Sequence, residues 1–317
     1  MEENDIYTYY DYYNNSQDYV NYKNDNVNTT EVNAASITIS VVAILNLVVC
    51  ILTILVGVPG NGLVIWITGL KMKKTVNTTW YLSLAVSDFI ICVALPLFYI
   101  IVNFTEVCIF WLFTCYFTIA LIFISMFSSV ILLVIISVDH CVSVTFPVWS
   151  QNNRTIDMAS IVVILTWVLS VALNTRFMFV GGMDMEMIIW NQFIGGFAVP
   201  FLIIFFCYSV TMRRLRTRQM ISVSPKSLRV MTALITMFFI CWLPLHVFML
   251  FSEYRIYYNP VKDIGLLVGV ILATVHSFLR PVLYVCMGNN VPPTLKRSMI
   301  GRIENALGEE DPPHHQP

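Results

Sequence analysis

Seven long apolar stretches run through the 317 residues and decide what this chain can fold into. They cover residues 39–70, 76–102, 111–146, 157–180, 188–212, 227–251 and 264–287. Each exceeds the ~20 residues that a helix needs to cross a ~30 Å hydrocarbon core. In lipid, every backbone N–H and C=O must find its partner within the protein, which leaves only helices and closed barrels. No stretch alternates with a period of two, so a barrel is excluded. The expected fold is an all-α membrane protein, a bundle of seven transmembrane helices.

Charge orients that bundle. Only 12% of residues are charged, against about 25% in a soluble domain. Lys and Arg number 18 and Asp and Glu 19, so no basic field points to nucleic acid. Lys71, Lys73, Lys74, Arg154, Arg213, Arg214, Arg216, Arg218, Lys226, Arg229, Lys296, Arg297 and Arg302 would share one side of the membrane. Lys23, Arg176, Arg255 and Lys262 would share the other. The positive-inside rule then places the N-terminus outside. Residues 1–36 read as a disordered extracellular tail, 37–288 as the membrane domain, and 289–317 as an amphipathic helix with a short cytoplasmic end. No basic and apolar leader precedes the first span, which would serve as its own insertion signal.

The tail has a chemistry of its own. Residues 1–36 hold Tyr7, Tyr9, Tyr10, Tyr12, Tyr13, Tyr19 and Tyr22 among seven acids and a single Lys. Tyr9, Tyr10, Tyr12, Tyr13 and Tyr19 beside Asp or Glu fit a sulfation pattern. An anionic, aromatic segment of this kind can steer a basic ligand inward. Asn14 and Asn28 head glycosylation sequons on the outer side. Asn77 and Asn153 head sequons that this topology leaves in the cytosol.

Each span carries a marker. They are Gly60-Asn61-Gly62 in the first, Leu82 to Asp88 in the second, Trp167 in the fourth, and Pro200 with Tyr208 in the fifth. Cys241-Trp242-Leu243-Pro244 marks the sixth and Pro281-Val282-Leu283-Tyr284 the seventh. Taken in order, the set resembles the rhodopsin-like (class A) G-protein-coupled receptors over residues 40–303. The loop from Phe146 to Thr155 resembles the chemoattractant group, with its chemerin, formyl-peptide and complement anaphylatoxin receptors. The resemblance implies a multi-pass plasma-membrane receptor for an extracellular peptide or small protein. It implies an inhibitory-type G protein and arrestin as cytosolic partners, with Asp139, His140, Cys141, Tyr208 and Tyr284 facing the G protein. It implies a switch at Trp242, Pro244 and Pro281, no cofactor and no catalytic residues. Pro244 also removes a backbone hydrogen bond, so a kink that could act as a pivot is expected there. His140, His246, His276, His314 and His315 show no metal-ligand spacing.

The chain departs from the family at three places. The family's seventh-helix Asn-Pro-x-x-Tyr reads Arg280-Pro281-Val282-Leu283-Tyr284 here. In the family, Asp88 helps bind sodium with a third-helix Ser, matched by Ser129, and a seventh-helix Asn. Here His276 and Arg280 occupy the seventh-helix positions. An Arg at mid-membrane costs about 2.5–3.5 kcal/mol and needs an acid. Two readings follow: an Asp88–Arg280 ion pair replacing the sodium site, or an Arg280 that snorkels to cytoplasmic water.

The Asp-Arg-Cys that ends the third helix in the chemoattractant group reads Asp139-His140-Cys141. An ordinary imidazole is mostly uncharged at cytosolic pH, so the guanidinium fork is lost. Cys115 matches the family's extracellular disulfide cysteine, yet residues 181–187, which join the fourth and fifth spans, are few and lack Cys. Cys108 is the remaining outer cysteine, so Cys115 is expected to be unpaired. The other six cysteines read as packing residues. Ser298 is the only Ser or Thr after Thr294, which weakens arrestin capture. At residues 289–305, Leu295, Met299 and Ile303 against Lys296, Arg297 and Arg302 suit a helix lying on the membrane, with Pro292 and Pro293 in its first turn.

Three functions compete: a signalling chemoattractant-type receptor, a non-signalling decoy or scavenger (or decayed gene product), and a membrane enzyme or transporter. No catalytic spacing, retinal-holding Lys or inverted repeat supports the third.

Overall fold

A computed structural model describes residues 41, 44–104, 109–179, 185–218, 225–254, 260–287 and 298–308. The chain divides into two compact units, Met1–Ala43 and Ile44–Pro317. Apart from Val41, the first unit lies outside the described residues, and with it Tyr9, Tyr10, Tyr12, Tyr13, Tyr19, Asn14 and Asn28.

Among its described residues the second unit contains seven membrane-length helices: Ile44–Lys71, Val76–Ile100, Ala120–Thr145, Ile156–Asn174, Ile189–Arg216, Leu228–Phe251 and Ile264–Met287. They are called the first to seventh spans in chain order. Their mean hydropathy runs from 1.9 to 2.8, and no strand occurs among the described residues. Apolar side chains cover the outside as well as the core. On the fourth span, Ile161, Ile164, Leu165, Val168 and Leu169 all stand open. A face of that kind is stable only against lipid, since water would penalise each exposed side chain.

The interior forms where the spans close on one another. Leu84, Val64, Ile67, Val130, Leu132, Leu133, Val230 and Leu234 are fully buried and belong to one continuous cluster. Polar pairs tie the spans together at depth. Trp167 donates its indole N–H to Ser83 Oγ at 3.1 Å, and Ser87 and Ser128 hydroxyls meet at 2.8 Å. Asn61 donates to the Gly57 carbonyl at 3.0 Å and to the Ser277 carbonyl at 2.9 Å, locking the first span to the seventh. Such bonds matter in lipid because no water offers an alternative partner.

Pro96, Pro244 and Pro281 lie inside the helices of the second, sixth and seventh spans. Each deletes one backbone donor. Small residues set the closest approaches. A Cβ built on Gly269 would sit 2.6 Å from Leu245 Cα and 2.8 Å from its backbone nitrogen. The sixth and seventh spans can meet there only because residue 269 has no side chain.

The carboxy-terminal helix differs from the sequence expectation. It runs Met299–Leu307, and Ser298 before it is extended. Pro292 and Pro293, expected in its first turn, lie with the rest of residues 288–297 outside the described residues. The helix is also enclosed by protein. Gly301, Ile303, Ala306 and Leu307 are buried, and no residue from Gly301 to Gly308 is exposed. A surface helix would leave its polar face open. The physical reason is a seat against the first, second, sixth and seventh spans.

Gly269→Val should force those two backbones apart, an overpacking cost of ~1–3 kcal/mol. The expected result is a clearly lower thermal midpoint of the solubilised protein by a thiol-reactive unfolding assay. An unchanged midpoint would show that the sixth and seventh spans do not approach there.

Candidate functional site

The centre of the bundle holds a buried ion pair. Arg280 on the seventh span donates from Nη1 to Asp88 Oδ2 on the second at 3.0 Å, with side chains 1% and 0% exposed. Of the two sequence readings, this is the geometry of the pair and not of a snorkelling side chain. His276 lies one turn before Arg280, and its Nε2 is 3.4 Å from Arg280 Nη2. Buried side-chain atoms without a hydrogen-bond partner include Asp88 Oδ1, Arg280 Nε, His276 Nδ1, Ser129 Oγ and the Tyr284 hydroxyl.

The geometry also bears on the sodium that the resemblance implied. A cation at Asp88 needs a free carboxylate and oxygen ligands converging on it. Here a guanidinium already holds the carboxylate, and imidazole replaces an oxygen donor at position 276. The residues do not fit sodium.

Aromatic rings connect this centre to the sixth span. His276 meets Phe238 edge-on at 5.5 Å and Trp242 edge-on at 6.2 Å. Phe238 stacks on Trp242 at 5.9 Å, and Trp242 tilts over His246 at 6.3 Å. Trp242 is 5% exposed. It therefore stands one ring from the ion pair's histidine and one turn from a second buried imidazole. Pro244 lies two residues beyond Trp242, inside the continuous helix Pro225–Tyr254. Tyr284 packs edge-on against Tyr81 at 6.0 Å.

A second polar group closes the end of the third span. Arg154 Nε donates to Asp139 Oδ1 at 2.9 Å, and its Nη2 donates to Oδ2 at 2.9 Å. Trp80 Nε1 donates to the same oxygen at 3.3 Å, and Arg154 also reaches Asn77 Oδ1. A forked guanidinium on a carboxylate is the strong form of this contact. His140 is buried, 4% exposed, while Cys141 is half-buried. Tyr208 lines a groove of about 720 Å³ between the fifth and sixth spans, with Met212, Leu228, Arg229 and Met237. Thus Asp139 is placed with Arg154, and Tyr208 stands apart from both.

Sequence reasoning missed Arg154 and Trp80 as partners of Asp139. The available signal was a lone Arg in the short segment after a helix ending in Asp. It also grouped six cysteines as packing residues, and Cys286 is exposed instead. A seventh-span position one residue from the end of the helix can face outward in a bundle that buries only part of each helix. Cys108 and the side chain of Cys115 lie outside the described residues. So do 180–184, the segment between Phe179 and Met185 where the fourth-span helix ends and the next begins.

Residues 60–284 match the model of the seven-transmembrane receptors of the rhodopsin family. The chain belongs to that family. It is 34% identical over 274 residues to the C3a anaphylatoxin chemotactic receptor of Danio rerio, covering 81% of this chain and 75% of the relative. It is 33% identical over 294 residues to chemerin-like receptor 1 of Sus scrofa, covering 80% of each. N-formyl peptide receptor 2 of Homo sapiens is 33% identical over 295 residues, covering 82% of this chain and 84% of the relative. This is a chemoattractant-type G-protein-coupled receptor, a multi-pass protein of the plasma membrane and not an enzyme.

Asp88→Asn should strand the Arg280 guanidinium in the bilayer core, a loss of ~3–5 kcal/mol. Surface expression should fall with that substitution and recover with Asp88→Asn plus Arg280→Asn. Equal expression of the single and double variants would mean that the pair carries no such constraint. Replacing NaCl by choline chloride should leave the thermal midpoint of the unmodified receptor unmoved.

Proposed function

We propose that this receptor takes an extracellular peptide or small protein and couples to an inhibitory-type G protein with low efficiency. The Asp139 end of the bundle faces the cytosol in this reading and the N-terminus faces outward, as the cation distribution requires. The observation that carries the attenuation is the state of the Asp139 end. The family's Arg is His140, which is buried, and Asp139 is held by Arg154. No guanidinium at position 140 can be released toward a transducer.

Trp242 and Pro244 form the pivot of the proposed switch, and Trp242 senses ligand from the base of the pocket. Its signal passes through His276 to Arg280, Pro281 and Tyr284 on the seventh span. Tyr208 faces the G protein across the groove beside the sixth span, and arrestin engagement is weak because the cytoplasmic tail offers so few hydroxyls. Outside, Asn14 and Asn28 carry glycans and Tyr9, Tyr10, Tyr12, Tyr13 and Tyr19 are sulfated. This anionic tail supplies much of the binding, because the short 181–187 connection cannot lid the cavity. The relatives' names speak of C3a, chemerin-like and N-formyl peptide recognition, which supports a ligand of that size and chemistry. A second reading, a decoy that binds without signalling, is favoured by the same loss at position 140.

Nucleotide exchange on an inhibitory-type G protein separates the two. Low but measurable exchange, raised by His140→Arg, supports the attenuated receptor. Exchange absent from both forms supports the decoy, and robust exchange by the unmodified chain overturns the attenuation. Binding should also weaken as salt rises, since exposed charges are screened over about 8 Å at physiological ionic strength. Deletion of residues 1–25 should remove most of the affinity; a ligand held equally well without them would place recognition in the bundle.

A further inference from the structure

The helix Met299–Leu307 poses a problem that the receptor reading does not absorb. Nine residues cannot stabilise a helix alone in water. An amphipathic helix beside a membrane would meet that need by laying one face in lipid. Here protein covers it from Gly301 onward, while Met299 at its start stands exposed. Ile303, Ala306 and Leu307 are 1%, 3% and 2% exposed and belong to the main core cluster. Arg302, Glu304 and Asn305 on the other faces are also partly covered. Its neighbours are the first, second, sixth and seventh spans.

Four spans can surround one short helix only inside the mouth of the bundle, at the end that carries Lys71 and Asp139. Lys71 Nζ and Glu304 Oε1 stand 2.7 Å apart and fix the register. Beside the sixth span, the 720 Å³ groove shows that its lower half stands off from the fifth. A mouth with the sixth span held off is the room that a cytosolic partner would enter.

We infer that Met299–Leu307 is an autoinhibitory plug that occupies the cytoplasmic mouth of its own bundle and excludes a transducer from it. This rests on the cytoplasmic assignment of that end. The seat is a reversible one by its chemistry. Outside the mouth, the face of Ile303 and Leu307 can enter the bilayer interface, which is as apolar as the cavity wall. Leaving therefore does not expose those side chains to water, and the two positions differ by little. Lys71–Glu304 is half in solvent and biases the choice weakly. Such a near balance is what a switch needs.

The test uses the full chain in native membranes. In one arm, Lys71→Cys with Glu304→Cys replaces the ion pair, and a bifunctional methanethiosulfonate reagent whose spacer stands in for the two long side chains should link residues 71 and 304 through mixed disulfides, a crosslink that mass spectrometry reads without any G protein. In the other, Ile303→Glu with Leu307→Glu makes the seat untenable. Ligand-independent nucleotide exchange should then rise on the order of tenfold over the unmodified receptor. Crosslinking the double-cysteine form should lower exchange, and reductant should restore it. Failure of the crosslink in a well-expressed protein overturns the seated helix itself, whatever the coupling. A crosslink that forms while Ile303→Glu with Leu307→Glu leaves exchange unchanged overturns the inhibitory role. Exchange absent from every form, including one that also carries His140→Arg, overturns both that role and the coupling reading, with the helix position still established by the crosslink.

Discussion

The contact between Asp88 and Arg280 constrains everything around it. Each charge alone would be untenable at 0% and 1% exposure in the middle of a bilayer. Together they are neutral, and the pair spans the second and seventh helices. The register of those two helices is thus fixed by electrostatics as well as by packing. Buried ion pairs add little net stability compared with apolar residues, yet breaking one is costly. The pair is therefore better understood as a latch than as a source of stability. It dictates which faces of the second and seventh spans meet, and Asn61 reinforces this by bonding the Ser277 carbonyl three residues before Arg280.

The latch also changes how the centre of the bundle can respond. A site built to take a mobile cation can exchange it with solvent. A side chain cannot leave, so the charge at this position is permanent. His276 sits against both Arg280 and the Phe238–Trp242 ring stack. Movement of Trp242 is thereby coupled by direct contact to a fixed charge. The other charged group of the interior follows the same logic. Asp139 is held by Arg154 and Trp80, so each of these interior acids has its own guanidinium.

Much of this was legible in the sequence, and the reasons differ by residue. The seven spans were legible because lipid leaves no other way to satisfy an apolar backbone. The Asp88–Arg280 pair was legible because an intramembrane charge demands a partner, and the spans offered few. Arg154 was not, because a cation near the membrane edge has water as an alternative, so nothing in its position demanded Asp139. The terminal helix was half legible. Its amphipathic pattern announced a buried face, which Ile303 fills while Met299 is exposed. Pattern alone does not distinguish a face buried in lipid from one buried in protein, since both are equally apolar.

That ambiguity has a physical consequence. A nine-residue helix that is equally comfortable in two apolar environments is not committed to either by hydrophobicity. Its position is decided by what else the mouth offers. In this chain the mouth presents little that would repel an apolar insert. Asp139 is neutralised, His140 is buried, and Arg280 is spent on Asp88 deep in the bundle. An Arg at position 140 would bring a fixed charge that needs water or an acid nearby. The loss of that Arg removes one fixed charge from the inner end of the bundle, where Ile303 and Leu307 are buried, and so favours an apolar insert there.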